Sequence, residues 1–114
     1  MQVVVIGAGE VGTSIAADLA SDHDVVVVDI DESRVEEIKY DIDVLTLVGD
    51  GTKSSVLTKA GAVEADMLIA STDDDKTNLV ICGTAETIGD PFKIARVKSA
   101  EYQRTWEQTG EAFD

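Results

Sequence analysis

Cysteine, proline, histidine and aromatic residues are almost missing from this chain of 114 residues. A single cysteine, Cys82, rules out an internal disulfide and the stapled secreted scaffolds that depend on one, so a reducing compartment is the default expectation. The one histidine, His23, lies in a polar Ser21-Asp22-His23-Asp24 turn, where exposure and no chemical duty are expected. Two Phe, two Tyr and one Trp cannot build a core, which must come from Val, Ile, Leu and Ala. No apolar run approaches the roughly 20 residues of a membrane span. Residues 1–6 lack the basic and long apolar regions of a secretory signal. Basic residues are also scarce: nine stand against 23 acidic ones, a net charge of −14. A surface this acidic repels phosphate backbones and anionic lipids, which excludes nucleic acid and direct membrane insertion. The acids are spread along the whole chain. That favours a halophile-like adaptation, with repulsion screened over a few ångströms at high salt, over one docking face for a basic partner.

What is present alternates regularly. Apolar runs at 3–6, 25–28, 44–48, 67–70 and 92–97 predict five strands. Between them, helical spacing over 11–20, 32–40, 53–60, 74–88 and about 100–108 predicts helices. The strand runs are continuous rather than alternating, as parallel strands covered on both faces require. The expectation is one α/β domain: a doubly wound parallel sheet of Rossmann type with flanking helices. Right-handed crossovers give strand order 3-2-1-4-5, with the switch point between the first and fourth strands. No repeat, low-complexity tract or interdomain linker interrupts it.

Gly7-Ala8-Gly9-Glu10-Val11-Gly12 fits G-x-G-x-x-G between a strand and a helix. In such a turn Gly7 permits the sharp reversal, Gly9 lets a pyrophosphate approach the backbone, and Gly12 lets the helix pack closely on the strand. The N–H groups of Gly9, Glu10 and Val11 then face the phosphates with the helix dipole behind them. Asp29 closes the second strand 22 residues after Gly7, where a ribose-binding carboxylate belongs. A 2′-phosphate would there meet Asp29, Asp31 and Glu32, so NAD is preferred over NADP. Arg34 is the one cation nearby, and it is expected to be a solvated helix residue rather than a phosphate ligand.

The other strand ends carry less specific signals. Gly49-Asp50-Gly51-Thr52 allows a tight loop that either borders an adenine or is a plain turn. Ser71-Thr72-Asp73-Asp74-Asp75 suits helix capping and, without conflict, contact with a ligand. Consecutive carboxylates at a helix start point in different directions, so no metal site is expected there. Arg96, on or just after the fifth strand, either pairs with an acid or reaches a ligand phosphate. Cys82 reads as a small core residue. No catalytic constellation is apparent: neither the usual general base nor a second, substrate-binding domain of a dinucleotide-dependent dehydrogenase is read in these residues, so the expectation is that the ligand is read rather than consumed. A small oxidoreductase, or a fragment of one, is the alternative.

Beyond the glycine turn, Val27-Val28-Asp29, Val48-Gly49-Asp50-Gly51-Thr52, Ala60-Gly61-Ala62, Ala65-Asp66-Met67-Leu68-Ile69-Ala70, Thr72 through Asn78, Ile94-Ala95-Arg96-Val97 and Glu101-Tyr102 follow in order. Together they resemble the N-terminal domain of TrkA-type potassium-transport regulators, also called RCK or KTN domains. The resemblance covers nearly the whole chain. It implies a cytoplasmic, nucleotide-sensing regulatory subunit that acts on a membrane potassium transporter or channel and pairs as a homodimer or larger ring. It implies nucleotide contacts at Gly7, Ala8, Gly9, Glu10, Val11, Asp29, Asp50, Gly51, Thr72, Asp73 and Arg96. Members that prefer ATP tend to be basic where this chain has Glu10. The acid therefore favours NAD(H) and leaves ATP or ADP as alternatives. The family usually continues into a smaller regulatory domain. Here residues 1–114 are expected to be the dinucleotide-binding unit alone, with that C-terminal domain absent and with Tyr102, Trp106 and Phe113 packing either on a partner subunit or absent sequence, or on this domain's own core.

Overall fold

The computed structural model describes residues 1–108. Each apolar run becomes a strand and each helical segment a helix. In chain order these are β1 (Gln2–Ile6), α1 (Glu10–Ala20), β2 (Asp24–Asp29), α2 (Glu32–Asp41), β3 (Leu45–Val48), α3 (Ser54–Lys59), β4 (Met67–Ala70), α4 (Asp75–Ile88), β5 (Phe92–Ala95) and α5 (Ala100–Gln108). The strands are parallel in the order β3-β2-β1-β4-β5, as the alternation of strands and helices predicts. Ile6 lies beside Val28 on one side and Ala70 on the other, so the carboxyl ends of the three central strands finish level.

Strand alternation divides the core in two. Val4, Ile6, Val28, Leu68 and Ala70 face Leu57 of α3 and Ile81, Cys82 and Ala85 of α4. Val3, Val5, Val25, Val27 and Ile69 face Ala16 of α1 and Ile38 of α2. With so few aromatics, Val, Ile, Leu and Ala side chains fill both layers. Cys82 belongs to this packing: burial pushes its thiol up to about 12, so it stays protonated. The cover thins at the sheet edges. Leu45 on β3 and Phe92 and Ile94 on β5 are exposed, because the helices converge on the central strands.

Two expectations need adjustment. The fifth strand ends at Ala95 rather than 97, because β4 ends at Ala70 and leaves nothing further to pair with. The last ladder bond runs from the Arg96 N–H to the Ala70 carbonyl, and a side chain, Asn78, takes the Arg96 carbonyl. His23 is half-buried, not exposed: the chain turns back on the Leu19 carbonyl, and the imidazole lines a depression below the amino ends of β1 and β2 with its Nδ1 enclosed and without a partner among the described residues. Tyr102 is half-buried on α5, whereas Phe113 and the Trp106 side chain lie outside the described residues.

Candidate functional site

The turn between β1 and α1 is built around two glycines that tolerate no side chain. Gly7 has φ +115°, a left-handed conformation, and its N–H reaches the Val28 carbonyl at 2.7 Å. A Cβ on Gly12 would stand 1.8 Å from the Gly7 carbonyl oxygen, so only hydrogen there lets α1 pack on the turn. Gly9 is the N-cap of α1 and supplies no side-chain cap. The first N–H groups of the helix are therefore left to a ligand or water.

Asp29 holds the turn from the second strand. It is 9% exposed; its Oδ2 accepts from the Ala8 N–H at 2.6 Å and its Oδ1 from the Asp31 N–H at 2.8 Å. An ionised carboxylate oxygen has two acceptor positions, so each keeps one for a sugar hydroxyl. Asp31 caps α2 by accepting from Ser33 and Arg34 N–H.

Opposite stand the ends of β3 and β4. Asp50 accepts from the Thr52 hydroxyl at 2.7 Å and its N–H at 3.0 Å, which holds the carboxyl below its usual range. A Cβ on Gly51 would collide with Ile6, so this loop lies directly on β1. Past β4, Thr72 is clasped by Asn78, which is fully buried in α4. The Asn78 Oδ1 accepts from the Thr72 N–H and hydroxyl, and its Nδ2 donates to the Thr72 and Arg96 carbonyls. One amide thus ties the ends of β4 and β5 to α4. Asp74 caps α4 through Thr77, whose hydroxyl lowers the Asp74 pKa. Asp75 instead accepts from the Lys98 and Ser99 N–H groups. The neighbouring carboxylates are engaged separately, and no group among the described residues could hold a metal ion.

These ends enclose a groove of about 370 Å³ at the carboxyl edge of the sheet. Of the residues expected to contact a nucleotide, Gly7, Asp29, Asp50, Gly51, Thr72 and Asp73 line it. Ala8 is buried behind the turn with its N–H given to Asp29, while Gly9, Glu10 and Val11 form the helix start beside the groove. Arg96 sits behind the wall: its Nη1 donates to the Thr72 carbonyl at 3.4 Å, and it makes no ion pair among the described residues.

The lining also includes groups that pattern reading did not assign: Ile30, Thr77 and above all Arg34. Arg34 is 52% exposed yet reaches back toward the glycine turn, with Nη1 3.7 Å from where a Gly9 Cβ would be. The signal was available: helical side chains tilt toward the helix amino end, and Arg34 is in the first turn of α2. A larger depression, about 490 Å³, lies at the opposite edge beside His23 and Asp43. Ligands of open α/β sheets bind at the carboxyl ends, which selects the smaller groove.

Residues 3–112 match the TrkA-N domain family. The chain belongs to this family. It is 41% identical over 104 residues to the Trk system potassium uptake protein TrkA of Halomonas elongata, covering 90% of this chain but 23% of that protein. The TrkA-N domain thus spans about a quarter of such relatives. Among solved structures, the TrkA-N domain of the inner membrane protein ybaL from Escherichia coli superposes with TM-score 0.86 at 23% identity, covering 96% of this chain and 82% of that one. The GsuK channel bound to NAD superposes with TM-score 0.84 at 21% identity, covering 96% of this chain and 20% of that one. At these identities the two structures establish the shared fold. No described helix of this TrkA-N domain is long and apolar enough to cross a membrane.

Proposed function

We propose that this TrkA-N domain is the nucleotide-sensing part of a regulator of potassium transport and that its ligand is NAD(H). The observation that carries the reading is the Asp29 carboxylate beside the uncapped start of α1, joined to the turn through the Ala8 N–H. A pyrophosphate rests on the helix N–H groups and a ribose diol on the free acceptor positions of Asp29, with Asp50 and Thr72 on the facing walls. Asp50, Gly51, Thr72 and Asp73 then border the base and the second sugar, and Arg96 acts from behind Thr72.

Sensing rather than turnover is supported by the chemistry of the lining: threonines, carboxylates and one guanidinium, with the only histidine at the opposite edge of the sheet. The relatives named for potassium uptake and the NAD-bound channel structure support a membrane potassium transporter or channel subunit as partner, with the domain on the cytoplasmic side. In this reading the domain pairs with a second copy, and NAD(H) shifts their relative orientation because it binds one arrangement more tightly than the other.

Calorimetric titration with NAD, NADH, NADP, ATP and ADP tests the assignment. NAD(H) should bind more tightly than NADP, and Asp29→Asn should weaken it by about tenfold, the loss of one charge-assisted hydrogen bond. ATP or ADP binding in place of the dinucleotides would move the assignment to an adenine-nucleotide sensor. Silence from all five would leave a structural module. Sustained NADH oxidation with candidate acceptors would support the oxidoreductase alternative.

A further inference from the structure

Among the described residues, Arg34 is the only basic one lining the groove, which it shares with the carboxylates of Asp29, Asp50, Asp73 and Asp74. An anionic ligand entering this space meets repulsion from every charged wall except one. The position of that exception is specific: the Arg34 guanidinium borders the open space above Gly9, where the backbone is bare and the amino end of α1 begins. Its partner in this structure is weak. Asp31 Oδ2 lies 4.0 Å from Arg34 Nε, while Asp31 Oδ1 is occupied in capping α2. Asp31 therefore keeps the guanidinium over the turn without consuming its donors, of which a guanidinium has five in a planar fork suited to phosphate.

We propose that Arg34 is a specificity-determining residue that closes over the ligand's pyrophosphate at Gly9 and leaves Asp31 to do so. The proposal rests on the dinucleotide reading above and adds a residue that the reading does not need. In this arrangement the helix N–H groups hold the phosphates from below and Arg34 holds them from above. The acidic walls then disfavour ligands whose added charge lies beyond the guanidinium's reach, such as a third phosphate.

The test is an NMR titration of the 114-residue chain with adenosine, ADP, NADH and NADPH, comparing the unaltered protein with Arg34→Ala, Arg34→Lys and, as a surface control, Arg104→Ala. Arg34→Ala should weaken ADP and NADH by about tenfold, the value of one partly solvated charge-assisted contact, and leave adenosine within about twofold. Arg34→Lys should recover part of the loss, and the control should bind unchanged. Equal weakening of adenosine would overturn the proposal by moving Arg34 to the base or to the fold. A loss confined to NADPH would overturn it in favour of a 2′-phosphate contact. If the unaltered chain binds NADH and Arg34→Ala binds it equally well, only the Arg34 assignment fails. If the unaltered chain binds none of the four, the dinucleotide reading fails with it.

Discussion

Two glycines in one turn do different work, and a single added methyl at each should separate folding from binding. At Gly9 the backbone is extended, φ −76° and ψ −167°, which alanine adopts freely. Its Cβ would meet only the flexible Arg34 Nη1, at 3.7 Å, an ordinary contact. Alanine is a poorer N-cap than glycine by some tenths of a kcal/mol, but it lowers the entropy of the unfolded chain by about 0.4–1 kcal/mol. The two offset, so Gly9→Ala should keep the thermal midpoint. The methyl nevertheless stands where the pyrophosphate settles. An extra carbon in a filled site costs about 1–3 kcal/mol, or roughly 5- to 150-fold in affinity. At Gly12 the same methyl would sit 1.8 Å from the Gly7 carbonyl oxygen and 2.8 Å from its carbon, so α1 must move. Overpacking of about 1–3 kcal/mol, and more against rigid backbone, exceeds the roughly 1 kcal/mol gained in helix propensity. Gly12→Ala should therefore lower the midpoint by several degrees. Thermal unfolding by circular dichroism and NADH calorimetry on both variants decide the matter. Unchanged NADH affinity in Gly9→Ala would refute phosphate seating on this turn. Equal destabilisation of the two variants would refute the packing argument.

Two further outcomes follow from the walls of the groove. Asn78→Ala should cost about 2–4 kcal/mol in urea unfolding, because it takes the partner from the Thr72 N–H and the Arg96 carbonyl and leaves the Thr72 carbonyl only the long bond from Arg96 Nη1. Asp50 should contribute to stability only above its unfolded pKa. Its folded pKa lies below the ordinary 3.8 of an aspartate, chiefly through the Thr52 hydroxyl, so the contribution is complete above the unfolded value and fades as pH falls through the folded one. Thr52→Val should thus be less stable than the unaltered chain at pH 6, with the gap closing below about pH 4 in urea midpoints.

The β-branched runs and the turn between them made the sheet, its order and the glycine motif legible, because backbone periodicity and a missing Cβ are local properties. Asp29 was legible for the same reason, as the last residue of a strand that must end beside the turn. The remainder depends on side chains meeting across the fold. The Asn78 amide joins Thr72 and Arg96, which lie 24 positions apart, and nothing in the spacing announces that one amide will stand in for a strand ladder. Arg34 looked solvated because a charge in a helix usually is; its reach across to Gly9 depends on where the end of β2 sets the start of α2 relative to the glycine turn. His23 looked exposed by its polar neighbours, yet the Leu19 carbonyl turns it inward.

The bond between Ala8 and Asp29 has a consequence for anyone redesigning cofactor choice. Exchanging the acid at the end of the second strand is a common route toward a phosphorylated ribose, but here that acid also fastens the loop on which the ligand lies. Removing it would loosen the floor while widening the doorway. Ile30, 72% exposed, and Asp31, on the surface beside it, offer the same frontage without touching the fastening, so a retargeted variant should begin one step outward.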